Sequence, residues 1–161
     1  MTDKIRVLFC CMGNICRSPM AQGVFERVVA EHALEHRIEI DSAGTHAYHV
    51  GEPPDERARR TAAARGIDLS RQRARKVARA DFERFDYVLA MDRDNLSILS
   101  GLCPRERRER LRLFLDFAER WPGEEVPDPY YGGEAGFERV MDMVEDAARG
   151  LLAEIRARHG L

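Results

Sequence analysis

Hydrophobic and polar positions divide the chain into alternating short apolar runs and longer helical stripes. Ile5-Arg6-Val7-Leu8-Phe9-Cys10 is short, apolar and rich in β-branched residues, which predicts a buried strand. Met20, Val24, Phe25, Val28, Val29 and His32 then recur near the helical period and predict an amphipathic helix. Ser18 is a candidate N-cap for it, and Pro19 suits its first turn, where a missing N–H costs nothing. Residues 37–43 alternate as a second strand, closed by Gly44. Thr45 to Pro54 reads as loop. Asp55 can cap a helix reaching Arg65, with Gly66 as its stop. Asp81 opens a short helical turn, residues 87–91 form a third strand, and Asp92 begins a helix to about Leu99. Residues 111–115 predict a fourth strand, although their arginines would equally suit a helix. Pro122 to Gly133 is turn-dense. From Phe137 to Ile155 an apolar face repeats at helical spacing and predicts a long final helix.

Strands alternating with helices argue for an α/β fold: an open, parallel four-stranded sheet flanked by helices on both faces. Ligands of such sheets bind beyond the carboxyl ends of the strands, where the strand order switches. The loop after the first strand, Ser42, and Met91-Asp92 all belong at that end.

The chain's 161 residues fit a single domain spanning 1–161 that can bury a core without staples. Its net charge of −2 conceals abundant charge of both signs, so no global field favours nucleic acid or a membrane surface. The arginines between Arg105 and Arg112 carry interleaved glutamates and read as a solvated face. No apolar run approaches the roughly 18 residues needed to cross a bilayer. The N-terminus runs into the first strand with no signal peptide ahead of it. Of the cysteines Cys10, Cys11, Cys16 and Cys103, three crowd one loop, which is not a spaced disulfide framework. A cytoplasmic setting and catalytic use of a thiol are the expectation.

The loop Cys11-Met12-Gly13-Asn14-Ile15-Cys16-Arg17-Ser18 separates a strand from a helix N-terminus, where backbone N–H groups converge on an anion. Cys-x5-Arg alone is a weak pattern in so arginine-rich a chain. Gly13 and Asn14 sharpen it because both tolerate the positive φ that a tight anion-wrapping loop demands. A free thiol is only a few per cent ionised near neutrality, and a helix N-terminus with a cation beside it raises that fraction. Cys11 is therefore the candidate nucleophile. Arg17, able to grip two phosphate oxygens at once, is the candidate clamp. Cys10 better suits a packed strand end. Expelling an alkoxide or phenoxide needs a proton, and Asp128, held extended by Pro129, is the candidate general acid. Tyr130 and Tyr131 could wall a slot for a flat ring, and His46, Tyr48 and His49 either line its rim or belong to a solvated loop.

Val7 to Ala21 closely resembles the signature of low-molecular-weight protein tyrosine phosphatases, and Asp128-Pro129-Tyr130-Tyr131-Gly132 resembles that family's general-acid loop. Asp41-Ser42-Ala43-Gly44, residues 85–89 and Met91-Asp92-Arg93-Asp94-Asn95 follow in the family's order. The resemblance implies metal-free, cofactor-free hydrolysis of protein phosphotyrosine through a phosphocysteine intermediate, with Asp128 protonating the leaving tyrosine and then activating water. It implies that Asn14, Ser18 and Ser42 brace the loop and lower the thiol pKa, that Gln72 and Asp92 support it, and that Cys16 forms a reversible disulfide with Cys11 under oxidants. Tyrosine-phosphorylated proteins, inorganic phosphate and other oxyanions are the partners it implies. The chain departs from the pattern at Cys10, where an aliphatic residue is usual. Tyr48 stands where some members carry tryptophan, and Gln72 where many carry histidine. Arsenate reduction on the same fold needs a relay of further cysteines, and outside the loop only Cys103 remains. Phosphoarginine hydrolysis would favour threonine where Ile15 stands. A non-enzymatic phosphate-binding module needs neither Cys11 nor Asp128.

Overall fold

The computed structural model describes residues 4–130 and 133–161. Its centre is β1 (Ile5–Cys11), of which every residue but Arg6 is buried. A strand covered on both faces cannot alternate apolar with polar, hence the unbroken run VLFCC. β2 (Ile38–Gly44) lies on one side of β1, β3 (Tyr87–Ala90) on the other, and β4 (Leu111–Leu113) beyond β3. All pairings are parallel, in the order β2-β1-β3-β4. The chain leaves β1 toward one edge and later returns to its other side, so a switch point lies above the carboxyl end of β1.

Pleating sends successive β1 side chains to opposite faces. Val7, Phe9 and Cys11 join Leu89 and Met91 in a core covered by α1 (Arg17–Glu31), α2 (Glu56–Ala64) and α5 (Glu134–His159). Phe9 meets Phe25 and Phe114 edge-on there, with ring centroids at 5.7 and 4.9 Å. Leu8 and Cys10 face the other way, into a core with Val88, Ala90, Phe82, Leu99 and Cys103 under α3 (Asp81–Arg84) and α4 (Arg93–Leu102). Cys10 is thus a small apolar filler on the face opposite Cys11.

Three local expectations are corrected. β4 stops at Leu113, because a 3-10 turn over Phe114–Phe117 is what buries Phe114 and Leu115. α4 continues past Leu99 to Leu102, with Asp92 capping it by accepting the Asn95 N–H at 2.7 Å. α1 starts at Arg17, with Cys16 at the cap position and no side-chain cap bond. The Ser18 hydroxyl is turned instead into the loop. Asp55 does cap α2, accepting from the Arg57 N–H at 2.8 Å. Residues 105–110 form an exposed 3-10 segment. No helix of the described residues is long and apolar enough to cross a membrane.

Candidate active site

The loop after β1 is shaped by β2, which extends alongside it. Thr45 N–H donates to Cys11 O at 2.9 Å and His46 N–H to Met12 O at 3.0 Å. In a trans peptide the N–H opposes the C=O, so these bonds turn the N–H groups of Met12 and Gly13 away from β2, into the loop. The approach depends on Gly44: a Cβ there would stand 2.9 Å from Met12 O and 3.0 Å from His46 O. Asn14 takes φ 58°, the left-handed turn anticipated for this position. The unpaired N–H groups at the start of α1 then face the same concavity.

A chain of side chains braces the loop from behind. Asn14 Nδ2 donates to Ser18 Oγ at 2.8 Å and to Ser42 Oγ at 3.0 Å, while Asn14 Oδ1 accepts the Arg75 N–H at 3.1 Å. Ser18 Oγ lies 3.0 Å from Cys11 Sγ, and Ser42 Oγ donates to Gln22 Oε1 at 2.6 Å. Gln72 Nε2 reaches Pro19 O at 3.1 Å, so it holds the first turn of α1 and not the loop itself.

Arg17 is the largest fully buried side chain, only 2% exposed, so its charge requires partners. Nη1 donates to Asp92 Oδ2 at 2.6 Å and to Val126 O at 3.2 Å, and Nη2 stands 3.8 Å from Asp128 Oδ2. Burial pulls its pKa down, but Cys11, Asp92 and Asp128 outweigh that and hold it above the usual arginine value. Asp92 therefore serves two elements at once, one oxygen on Arg17 and the other on the N-terminus of α4. Asp128 Oδ1 accepts the Tyr130 N–H at 3.1 Å, a tight turn that fixes the carboxylate beside the cleft.

These groups meet in one cavity of about 310 Å³, lined by Cys11, Met12, Gly13, Ile15, Cys16, Arg17, Tyr48, His49, Asp128 and Tyr130. Tyr48 is 69% exposed and stacks on His46, with centroids 5.0 Å apart. His49 pairs with Glu52 at 2.9 Å and sits over Gly13. Burial, then the negative charge of Asp55, pushes the Cys16 thiol far up, and burial does the same to Cys10. Both thiols therefore rest protonated, and Cys16, which lines the cavity, gives up its proton only in reacting with an oxidised Cys11. Among the described residues no group of three or more His, Cys, Asp or Glu is placed to hold a metal ion.

The structure brings Cys11, Met12, Gly13, Ile15, Cys16, Arg17, Tyr48, Asp128 and Tyr130 together around the cavity, with Asn14, Ser18, Ser42 and Asp92 behind it. Tyr131 lies outside the described residues. Gln22, Arg75 and the Val126 carbonyl were missed by sequence reasoning, because each acts through a contact between distant segments that no local pattern announces.

The chain matches the family model for low molecular weight phosphotyrosine protein phosphatases over residues 6–160. A low molecular weight protein-tyrosine-phosphatase of Streptomyces coelicolor is 46% identical over 154 residues, which cover 94% of this chain and 93% of that one. A low molecular weight phosphotyrosine protein phosphatase of Schizosaccharomyces pombe is 42% identical over 96% of this chain and 99% of its own. The crystal structure of a protein tyrosine phosphatase from Entamoeba histolytica, solved with Hepes in the active site, superimposes with a TM-score of 0.92 at 42% identity, covering 98% of this chain and 99% of that one. With the thiol, the buried arginine and the carboxylate around one cavity at the switch point of the sheet, the chain belongs to the low molecular weight phosphotyrosine protein phosphatase family.

Proposed function

We propose that the chain, acting as one phosphatase domain, hydrolyses phosphotyrosine in proteins through a phosphocysteine intermediate. Cys11 Sγ attacks phosphorus while the tyrosine oxygen leaves and takes a proton from Asp128. Asp128 then removes a proton from water, which attacks phosphorus, breaks the S–P bond and releases phosphate. Arg17 and the loop N–H groups hold the phosphoryl oxygens as charge shifts onto them, the role an oxyanion hole plays in acyl transfer. The observation that carries this reading is the convergence of Cys11, Arg17 and Asp128 on one cavity. The Asp128 carboxylate, on the wall of that cavity and 3.8 Å from Arg17, supports its assignment as the proton donor.

Ile15 adds an apolar wall to the cavity and favours an aromatic ester over phosphoarginine. An arsenate-reducing relay is disfavoured because Cys103 packs in the core on the far face of the sheet. Under peroxide, Cys11 oxidises to a sulfenic acid, and the Cys16 thiol displaces water from it to form a disulfide that a thiol reductant reopens. Free thiols at Cys10, Cys11, Cys16 and Cys103 suit a reducing, cytoplasmic compartment.

One assay of phosphotyrosine, phosphoserine and phosphoarginine peptides on wild type and Cys11→Ser tests the reading. Turnover of phosphotyrosine alone, abolished in Cys11→Ser with phosphate binding retained, is expected. Comparable phosphoarginine turnover, or activity in Cys11→Ser, overturns it.

A further inference from the structure

We infer that Arg75 and Asp81, which lie outside the cavity, are positioning residues that set the direction of the hydrogen bonds reaching Cys11. The inference rests on Cys11 being the nucleophile. It starts from the Arg75 backbone N–H, which can only donate, so the Asn14 atom facing it at 3.1 Å is Oδ1. The other end of that amide must then be the NH₂ group, whose protons go to Ser18 Oγ and Ser42 Oγ at 2.8 and 3.0 Å. Each serine oxygen therefore accepts from Asn14, and its own proton is left to point outward. That of Ser42 goes to Gln22 Oε1 at 2.6 Å. That of Ser18 has Cys11 Sγ as its partner at 3.0 Å. A hydroxyl proton aimed at sulfur favours the ionised thiolate. With the Asn14 amide turned over, Oδ1 would take the Ser18 proton, and the sulfur would face only lone pairs.

The Arg75 N–H is in turn held by charge. The Arg75 guanidinium grips Asp81 with two bonds of 3.0 and 3.1 Å and reaches Asp41 at 3.1 Å. Asp81, 6% exposed, also accepts the Ala78 N–H at 2.7 Å. Gly44 N–H donates to Arg75 O at 2.8 Å and Val77 N–H to Gly44 O at 2.8 Å, which lays residues 75–77 alongside the end of β2. Neither Arg75 nor Asp81 lines the cavity. Among the described residues the charged groups that face Cys11 in the cavity are Arg17, with Asp92 and Asp128 on it, and the His49–Glu52 pair, while Arg75, Asp81 and Asp41 act through space on the adjacent Cys10. Loss of the Asp81 charge would by itself favour a thiolate, so an upward move in Asp81→Asn reads the hydrogen-bond direction and not the charge.

The test reads the thiol directly, by iodoacetamide alkylation of the Cys11 peptide followed by mass spectrometry across pH. In Arg75→Met and Asp81→Asn the profile moves up by about one pH unit, so that alkylation at low pH slows about tenfold. At high pH all variants react alike. Arg75→Lys keeps one ion pair and shows a smaller displacement. Arg65→Ala serves as the control for general loosening, since Arg65 pairs with Glu138, Asp142 and Glu145 of α5 and does not line the cavity. Unmoved profiles in Asp81→Asn and Arg75→Lys overturn the inference whatever the stability loss, and so does an equal displacement in Arg65→Ala. A wild-type Cys11 that resists alkylation at every pH overturns the nucleophile assignment instead.

Discussion

Replacing Asp92 by asparagine isolates what holds the clamp arginine. Asp92 Oδ2 and Arg17 Nη1 are 2.6 Å apart, with side-chain exposures of 19% and 2%. Removing one partner of a buried pair costs roughly 3–5 kcal/mol, since the other charge stays behind without its counter-ion. Asparagine caps helices as well as aspartate does, so α4 keeps its cap and that contribution cancels. The partial exposure of Asp92 and the remaining contacts of Arg17 to Val126 O and Asp128 bring the loss below that range, to about 2–3 kcal/mol. For a chain of this length that corresponds to a fall in Tm of roughly 5–10 °C. Urea unfolding of Asp92→Asn, Arg17→Met and the double variant reads the pair as a cycle. If the loss in Asp92→Asn is the stranded charge of Arg17, removing that charge recovers most of it, with a coupling energy of about 2 kcal/mol. Turnover of an aryl phosphate by Asp92→Asn should fall at least about tenfold, because the guanidinium is no longer held in plane. Additive losses, with coupling below about 0.5 kcal/mol, would refute the reasoning.

Asp128→Ala should lower kcat/KM for phosphotyrosine about 10²–10⁴-fold and far less for an ester of a very acidic phenol, which leaves without a proton; equal losses would mean that another group is the acid. Gly44→Ala should cost about 1–3 kcal/mol and most of the activity, because its Cβ would press the Met12 and His46 carbonyls from about 3 Å. A fully active Gly44→Ala would show that the loop tolerates a shift. Cys16→Ser treated with peroxide should recover less activity on reduction than wild type, and equal recovery would count against a protective disulfide. Burial raises the Asp55 pKa, but the hydrogen bonds from Arg57 outweigh it and hold the folded value below normal. Its contribution is therefore complete above the unfolded value of about 3.9 and is lost as pH falls through the lower folded one. Asp55→Ala should be about 1 kcal/mol less stable at pH 5–7, with the gap closing in strong acid. A gap that persists in acid would mean that the ionised cap contributes nothing.

The loop was legible because its logic is local: a strand, a left-handed Asn14 and a helix start follow one another within a few residues. Asp128 was legible only in company, since an Asp-Pro turn on its own is common. The braces were not legible. Arg75 meets Asn14, and Gln22 meets Ser42, only once β1 and β2 are paired in register, and nothing along the chain records that register. The shortened β4 has a similar cause. Phe114 and Leu115 are apolar in either conformation, and only the packing of α5 across them selects the 3-10 turn. Ser18 fits both a helix cap and a loop strut, and the tertiary partners Asn14 and Cys11 decide the matter.

Cys10 and Cys11 are joined by a single peptide bond, yet the pleat of β1 sends them into separate compartments. Cys10 is sealed at 0% exposure, while Cys11 opens on the cavity. The sheet thus acts as an insulator one residue thick, and an oxidant or electrophile entering the cleft meets one of two adjacent thiols. Insulation of this kind depends on strand parity. A single inserted residue within β1 would exchange the two environments, leaving the nucleophile in hydrocarbon and the filler at the mouth of the site.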